Sequence, residues 1–449
     1  MMKIVVFSSP RHQRWAKLIS HFLSGQIIIQ LLNFTTGFFL LRWLSVTAYA
    51  QFSVAFAFQS TLGMLIDLGF SSSIIALVGD RGSDSEVVGR YIRSARYFRN
   101  RMFMVMLCVA AVAFPLVTQH QHWPASTKLL LFGAIVTSVF FQGWAMYAAP
   151  LLINGRIKEF YQAQTLSAAG RLCCCFALFE AAALSAWATA WVAAAALAVT
   201  GLLYRKKSDR LVSEPTKCDP LFNKEMLRYL VPLMPVAVFT ALQGQVTILL
   251  VTCFGRSETI ANIAALGRLS QLFLILGAFN AVIVEPYFAK ITHARLAKRY
   301  AQTVLIAVGA AVIAASGAFF FPQPLLWLLG SKYHNLGGYV GWIVGIACVN
   351  YIAGVLFTIN SARKWRFWWY SCLEIPLILL AQAVALTLTH VGTMRGAITF
   401  SLMTNVGWML THLTVGAYGL LQTRHEIKRK RIESTASNPT DLQVQSSAV

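Results

Sequence analysis

Acidic residues are scarce in this chain. Asp and Glu number 16 in 449 residues against 38 Lys and Arg, and charged residues make up only 12%. Soluble globular proteins average about 25% charged residues, so an ordinary soluble enzyme is excluded. The eight cysteines, at 108, 173, 174, 175, 218, 253, 348 and 372, include no C-x-x-C pair. Neither a disulfide framework nor a zinc site is indicated. The histidines of QHQHW (119–123) are an isolated loop pair without further metal-ligand residues at a suitable spacing. No G-x-x-x-x-G-K-[ST] loop occurs, so this chain has no P-loop with which to hydrolyse a nucleotide. No cofactor or metal is expected, and the chain reads as something other than an enzyme. The first 17 residues hold only the short apolar patch IVVF, too short for a signal-peptide core, so the first span reads as an uncleaved anchor.

Apolar sequence is what the chain has in quantity: 57% of it is hydrophobic. Crossing the bilayer core takes roughly 20 apolar residues as helix. Such runs fall at about 18–41, 49–78, 102–119, 128–153, 163–182, 184–204, 228–254, 260–287, 303–321, 337–360, 368–390 and 396–422. The expected fold class is an all-α polytopic membrane protein of about 12 transmembrane helices. Its least obvious feature is the split within 164–204. One helix there would be roughly 60 Å long, about twice the hydrocarbon thickness, so a tight hairpin is expected near Phe179–Ser185.

Positive charge alternates from loop to loop. Of the 38 basic residues, 31 lie in the N-terminal stretch, in 79–101, 154–162, 205–228, 289–302 and 361–367, and in the tail. The intervening loops hold Arg42, Lys128, Arg256, Lys332 and Arg395. By the positive-inside rule both termini are then cytoplasmic, and an even span count follows. The net charge of +22 is thus chiefly a topology signal, spread over short loops, and no nucleic-acid partner is implied. Segment 86–98 (EVVGRYIRSARYF) sets Val87, Val88, Tyr91, Ile92, Ala95 and Phe98 on one helical face, as an interfacial helix would. The cluster RHEIKRKR (424–431) suits anionic lipid headgroups, and the residues after it read as disordered.

Loop 205–228 separates six spans from six, as in internally repeated transporters. A shift of 212 residues places Ser45 on Ser257 and Gln59 on Gln271, each pair in a short-loop-then-long-span context. Polar or small stripes mark the first two spans of each half: Gln26, Gln30, Asn33 and Gly37 in the first, and Gln51, Ala55, Gln59, Gly63, Asp67 and Ser71 in the second. Span seven has Thr240, Gln243 and Thr247, and span eight has Ala264, Arg268 and Gln271. Small and amide residues also glue membrane helices together, so packing and a water-filled cleft both account for any one stripe. Ionisable residues inside spans cost at least about 2.5–3.5 kcal/mol each and call for an explanation. They are Arg171, Arg268, Asp67, Glu285 and Glu374.

The stretch LRWLSVTAYAQFSVAFAFQSTLGMLIDLGFSSSI (41–74) resembles the signature of Wzx-type polysaccharide-repeat flippases of the MOP exporter superfamily. Leu65, Asp67, Leu68, Gly69 and Phe70 match the motif closing the family's second helix. Ala48, Tyr49 and Ala50 stand where the family usually has an acid, an aromatic and glycine. IVEPYFAKI (283–291) and LLGSKYHNLGGYVGWIV (328–344) are similar to motifs near helices 8 and 10. The resemblance implies two six-helix lobes (MOP/MATE-like) around a central cavity: an N-lobe over 18–204, a linker over 205–227 and a C-lobe over 228–422. Residues 1–17 and 423–449 would be cytoplasmic.

It also implies a cargo: an oligosaccharide repeat unit on undecaprenyl pyrophosphate, flipped across the bacterial inner membrane for surface polysaccharide synthesis. Arg268 and Arg171 would meet the pyrophosphate, and Gln26, Gln30, Asn33, Gln59, Gln243 and Gln271 the sugars. Asp67, Glu285 and Glu374 would serve coupling or gating. Expected partners are the polyprenyl-linked oligosaccharide, anionic lipids at the basic loops and tail, and as further candidates a polysaccharide polymerase and chain-length machinery. A cation-coupled multidrug (MATE-type) antiporter is the nearest alternative, although such proteins usually carry an acid on helix 1. A lipid II flippase, a membrane glycosyltransferase or polymerase, and a scaffold are weaker ones.

Overall fold

The computed structural model describes residues 10–436 except 80, 82–83, 274–275, 278–279, 281–283 and 366–368. All regular structure among them is helical. In chain order the first helices are α1 (Pro10–Trp43), α2 (Val46–Asp67), α3 (Phe70–Val78), α4 (Ser85–Val117), α5 (Ala125–Gln142), α6 (Ala148–Ile153), α7 (Ile157–Glu180) and α8 (Ala186–Ser208). Then come α9 (Pro220–Leu230), α10 (Met234–Gln243), α11 (Val246–Phe254), α12 (Ser257–Ser270) and α13 (Glu285–Lys290). The last are α14 (His293–Phe320), α15 (Gln323–Leu329), α16 (Gly337–Ala362), α17 (Tyr370–Leu388) and α18 (Met394–Ala436). Helix occupies each of the twelve predicted intervals. Among the described residues, seven helical stretches are long and apolar enough to cross a membrane. This is a multi-pass membrane protein.

Several predicted spans are broken where the backbone chemistry demands it. Span two stops at Asp67, because Leu68 (φ 40°) and Gly69 (φ 86°) both adopt left-handed conformation. The Asp67 carboxylate then accepts the Ser71 amide at 3.3 Å and the Ser71 hydroxyl, which caps the restarted helix α3. The polar stretch GMLIDLGFSSS thus builds a helix break. Span seven divides into α9, α10 and α11 around Pro232, Pro235 and Gly244; each proline lacks the N–H that a continuous ladder needs. Span eight leaves α-helix after Ser270 through a 3-10 turn over Gln271–Phe273. The hairpin within 164–204 lies where length required it: α7 ends at Glu180, Ala182 turns left-handed (φ 53°), and the Ser185 hydroxyl caps α8 at Ala188 N.

Two expectations are overturned. Residues 86–98 are no separate interfacial helix; they are the first half of the continuous helix α4. Their apolar face (Val88, Tyr91, Ile92 and Ala95, each at most 1% exposed) is buried in protein, against Phe70 and Ile74 of α3, Leu151 of α6 and Met226 of α9. An apolar stripe that packs on protein reads the same in sequence as one that packs on lipid. At the other end of the chain α18 runs on to Ala436, past the basic cluster, so residues 433–436 are helical. The rest of the tail expected to be disordered, 437–449, lies outside the described residues.

The chain packs into two compact units. Of the described residues, the first unit comprises those within 10–268, 326–336 and 390–397, and the second those within 269–325, 337–389 and 398–436. In the first unit, loops rich in basic residues touch one another. Glu214 of the 205–228 linker accepts from Arg96 Nη1 and Tyr147 Oη, both at 3.0 Å, and lies 3.6 Å from Arg93. Glu225 accepts from Tyr91 Oη at 2.7 Å and pairs with Arg81 at 3.5 Å. Loops poor in basic residues likewise touch: Lys332 Nζ donates to the carbonyls of Arg42 and Leu44, both at 2.7 Å. Within the first unit these loops of like basic content therefore lie together.

Exposed ion pairs contribute little, but Glu214 combines two hydrogen bonds with burial, its side chain being 21% exposed. Glu214→Gln is expected to lower stability by about 1–2 kcal/mol, read as a depressed thermal unfolding midpoint in detergent. An unchanged midpoint would mean that the linker rests on α4 without holding it.

The second unit is organised by α14 packing along α16, where Gly341 leaves the space that the Phe319 ring fills. A buried cluster of Phe288, Leu296, Tyr300, Leu356, Ile359 and Trp365 lies at one end. Its interior carries more polar chemistry than lipid-facing helices need. Glu374 (1% exposed) and His412 (4%) are both buried, the Asn360 amide donates to the His412 carbonyl at 2.9 Å, and Tyr370 stacks on the His412 ring at 6.0 Å.

Candidate functional site

The site grows from α12, whose Arg268 lies in the first unit. Its Nε donates to Tyr49 Oη at 3.1 Å, and its guanidinium carbon lies 5.9 Å from the centre of the Phe56 ring. Tyr49, one turn into α2, is fully buried, so the hydroxyl that receives this bond is fixed. Gly37 of α1 provides the room: a Cβ there would be 3.1 Å from Arg268 Nη1. Three helices thus hold one guanidinium. Cation–π and neutral hydrogen-bond contacts of this kind leave its positive charge uncompensated.

Arg171, half-buried on α7, lies near enough to Arg268 for the two charges to repel. Among the described residues neither has a carboxylate within ion-pair distance. Two like charges on α7 and α12 of the first unit, without a carboxylate partner among the described residues, form an electropositive locus. Guanidinium groups offer forked N–H donors that match phosphate oxygens.

The predicted amides are distributed as follows. Gln26, Gln30, Asn33, Gln59 and Gln243 are half-buried in the first unit, and Gln271 is half-buried in the second. Part of each therefore stays accessible. Other members of the second-span stripe are packing residues: Ala55 is buried, and Gly63 lies against the Gln142 side chain of α5. Asp67 is half-buried at the helix break, Glu285 is exposed at the start of α13, and Glu374 is buried on α17.

Sequence reasoning missed Arg99. It lies just before the expected start of span three and reads as a loop arginine. In the structure it is 3% exposed, within α4, and its Nη2 donates to the carbonyls of Val139 (2.8 Å) and Phe140 (3.0 Å) near the end of α5. Tyr49 was also missed as a partner of Arg268, since the two are 219 residues apart.

No family model matches the chain, and no curated protein does either. Solved structures do match. A multidrug resistance MATE family transporter of the MOP superfamily, in an inward-facing conformation, superposes with a TM-score of 0.65 over 89% of this chain and 96% of that one, at 13% identity. The chain has the MATE-like transporter fold. The eukaryotic MATE transporter AtDTX14 gives a TM-score of 0.60 at 14% identity, over 93% of this chain and 99% of its own. The Vibrio cholerae MATE transporter VcmN in its bent form gives 0.56 at 14% identity, over 92% and 97%. At such identities the likeness concerns the fold.

Proposed function

We propose that this protein is an alternating-access transporter that flips an undecaprenyl-pyrophosphate-linked oligosaccharide repeat unit across the bacterial inner membrane, for the synthesis of a surface polysaccharide. The carrying observation is the pair Arg171 and Arg268, two neighbouring guanidiniums without a carboxylate partner among the described residues. A pyrophosphate bearing several sugars cannot cross hydrocarbon unaided, because its charge and hydroxyls would lose their water. The arginine pair replaces that water at the phosphates. The amides of Gln26, Gln30, Asn33, Gln59, Gln243 and Gln271 replace it at the sugar hydroxyls, and the polyprenyl tail stays in lipid.

Coupling or gating falls to Asp67, Glu285 and Glu374, of which Glu374 is buried most completely. The six-plus-six lobes, the cytoplasmic termini, the anionic-lipid contacts and a polysaccharide polymerase with its chain-length machinery as partners belong to the same proposal.

A second reading, a cation-coupled multidrug antiporter, is favoured by the fold neighbours themselves, one of which is a multidrug resistance transporter. A drug cation would be repelled by the Arg171–Arg268 locus, so in that reading Asp67 and Glu285 would be the cation site. The test is lipid analysis of a strain that lacks the gene. Accumulation of a complete polyprenyl-pyrophosphate oligosaccharide, with loss of surface polymer, is expected. Unchanged lipids with new sensitivity to cationic dyes would establish the antiporter instead.

A further inference from the structure

Loops poor in basic residues meet in two groups within the first unit. Loop 118–124 is joined to the α11–α12 turn through one buried amide. Gln121, 3% exposed, donates from Nε2 to the carbonyls of Thr252 (3.0 Å) and Gly255 (2.8 Å), while its Oε1 accepts from the Ser257 hydroxyl at 2.7 Å. Trp123 Nε1 donates to the same hydroxyl oxygen at 3.1 Å. All the polar atoms of the Gln121 side chain are thereby used, and the carbonyls it meets lie at the C-terminus of α11, where a helix leaves acceptors without intrahelical donors.

The α17–α18 loop closes on the same turn. A Cβ on Gly255 would be 2.9 Å from the Gly392 carbonyl oxygen, so only two glycines allow this approach. The α1–α2 turn is held separately. Lys332 Nζ takes the carbonyls of Arg42 and Leu44 at the C-terminus of α1, and Arg42 in turn donates to the Trp327 carbonyl. A cation at a helix C-terminus is matched to its dipole.

We propose that these loops form a gate, with Gln121 as its principal bolt and Lys332 as a second, and that releasing both lets the transporter open at the face opposite the basic loops. This rests on the alternating-access reading above and names the device that would control it. The opposite end of the same unit is held by ion pairs and a continuous apolar core. The polar contacts named at the gate run from Gln121, Arg42 and Lys332 to backbone carbonyls near helix ends. Water can take over such carbonyls when the contact parts, and elements that open locally are where switching occurs.

Native Cys253 reports on the gate, since it adjoins Thr252 and is half-buried. The full-length protein in nanodiscs would be treated with a sulfonated maleimide without cargo, and alkylation followed peptide by peptide by mass spectrometry. Gln121→Leu and Lys332→Met are each expected to raise the Cys253 rate at least tenfold, the effect of about 1.4 kcal/mol on a closed–open equilibrium. Cys348, buried in the second unit, should stay unreactive and so report an intact fold. Should Gln121→Leu also expose Cys348, Lys332→Met decides. An unchanged Cys253 rate in a folded Lys332→Met variant together with an unchanged or unfolded Gln121→Leu would overturn the gate. Because no cargo is present, that result would leave the proposed substrate untouched, whereas normal lipids in the deletion strain would remove the substrate and leave the gate.

Discussion

Arg268→Ala is expected to cut transport by about 10- to 100-fold, the value of losing one charge-assisted bond worth about 1.5–3 kcal/mol. The measurement is the steady level of polyprenyl-linked oligosaccharide in a deletion strain complemented with the variant. Arg268→Lys keeps the charge but loses the fork, the Tyr49 bond at 3.1 Å and the stacking on Phe56. It should fall between the wild type and the alanine variant. Tyr49→Phe leaves the charge in place and removes only its tether, so a loss of a few-fold is expected. Arg171→Ala should resemble Arg268→Ala, and the double variant should lose less than the product of the two. Neighbouring groups that bind one ligand are not independent. Normal transport by Arg268→Ala at wild-type protein levels would remove this residue from the pathway.

The largest effect on folding is expected at Gly143. A Cβ at this position would fall on the Arg99 guanidinium, which is held against the carbonyls of Val139 and Phe140. Gly143→Ala therefore has to move a buried charge away from the carbonyls that solvate it. Uncompensated buried charges cost about 3–5 kcal/mol, a large part of the stability of most domains. Loss of folded protein on size-exclusion chromatography, or a strongly depressed thermal midpoint, is the expected reading. Arg99→Ala should also destabilise, by leaving the two carbonyls unsatisfied and a cavity where the side chain lay. Combined, Arg99→Ala with Gly143→Ala should be less damaging than the sum of the two, because the collision no longer exists. Strict additivity would show that Gly143 acts through something other than Arg99.

Helices, their alternation and the α7–α8 hairpin were legible because each follows from local composition or from bilayer thickness. A 41-residue apolar run must fold back, whatever its turn residues are. Breaks within helices were less legible. Pro232 and Pro235 announce one, but the left-handed pair Leu68–Gly69 reads in sequence as part of an apolar span, and only the cap from Asp67 to Ser71 explains why the polar residues are there. The buried face of α4 was misassigned because period and polarity cannot say whether lipid or protein covers an apolar stripe.

At the candidate site, Arg268 and Arg171 stood out by their cost within a span. Their proximity did not, nor did the Tyr49 hydroxyl, because α7, α2 and α12 come together only through tertiary packing. Gln121 was overlooked for a simpler reason. A glutamine in a short polar loop reads as solvated, whereas its amide is 3% exposed and serves a helix end 131 residues away.

Reconstitution tests the central claim most directly. Purified protein would be placed in liposomes carrying a polyprenyl-pyrophosphate oligosaccharide in one leaflet, and the sugar exposed at the other leaflet measured with an impermeant periodate or lectin probe. Protein-dependent appearance of the oligosaccharide at the far leaflet, abolished or strongly slowed by Arg268→Ala, is the predicted result. No movement of this lipid, with exchange of a lipophilic cation by the same liposomes, would contradict it.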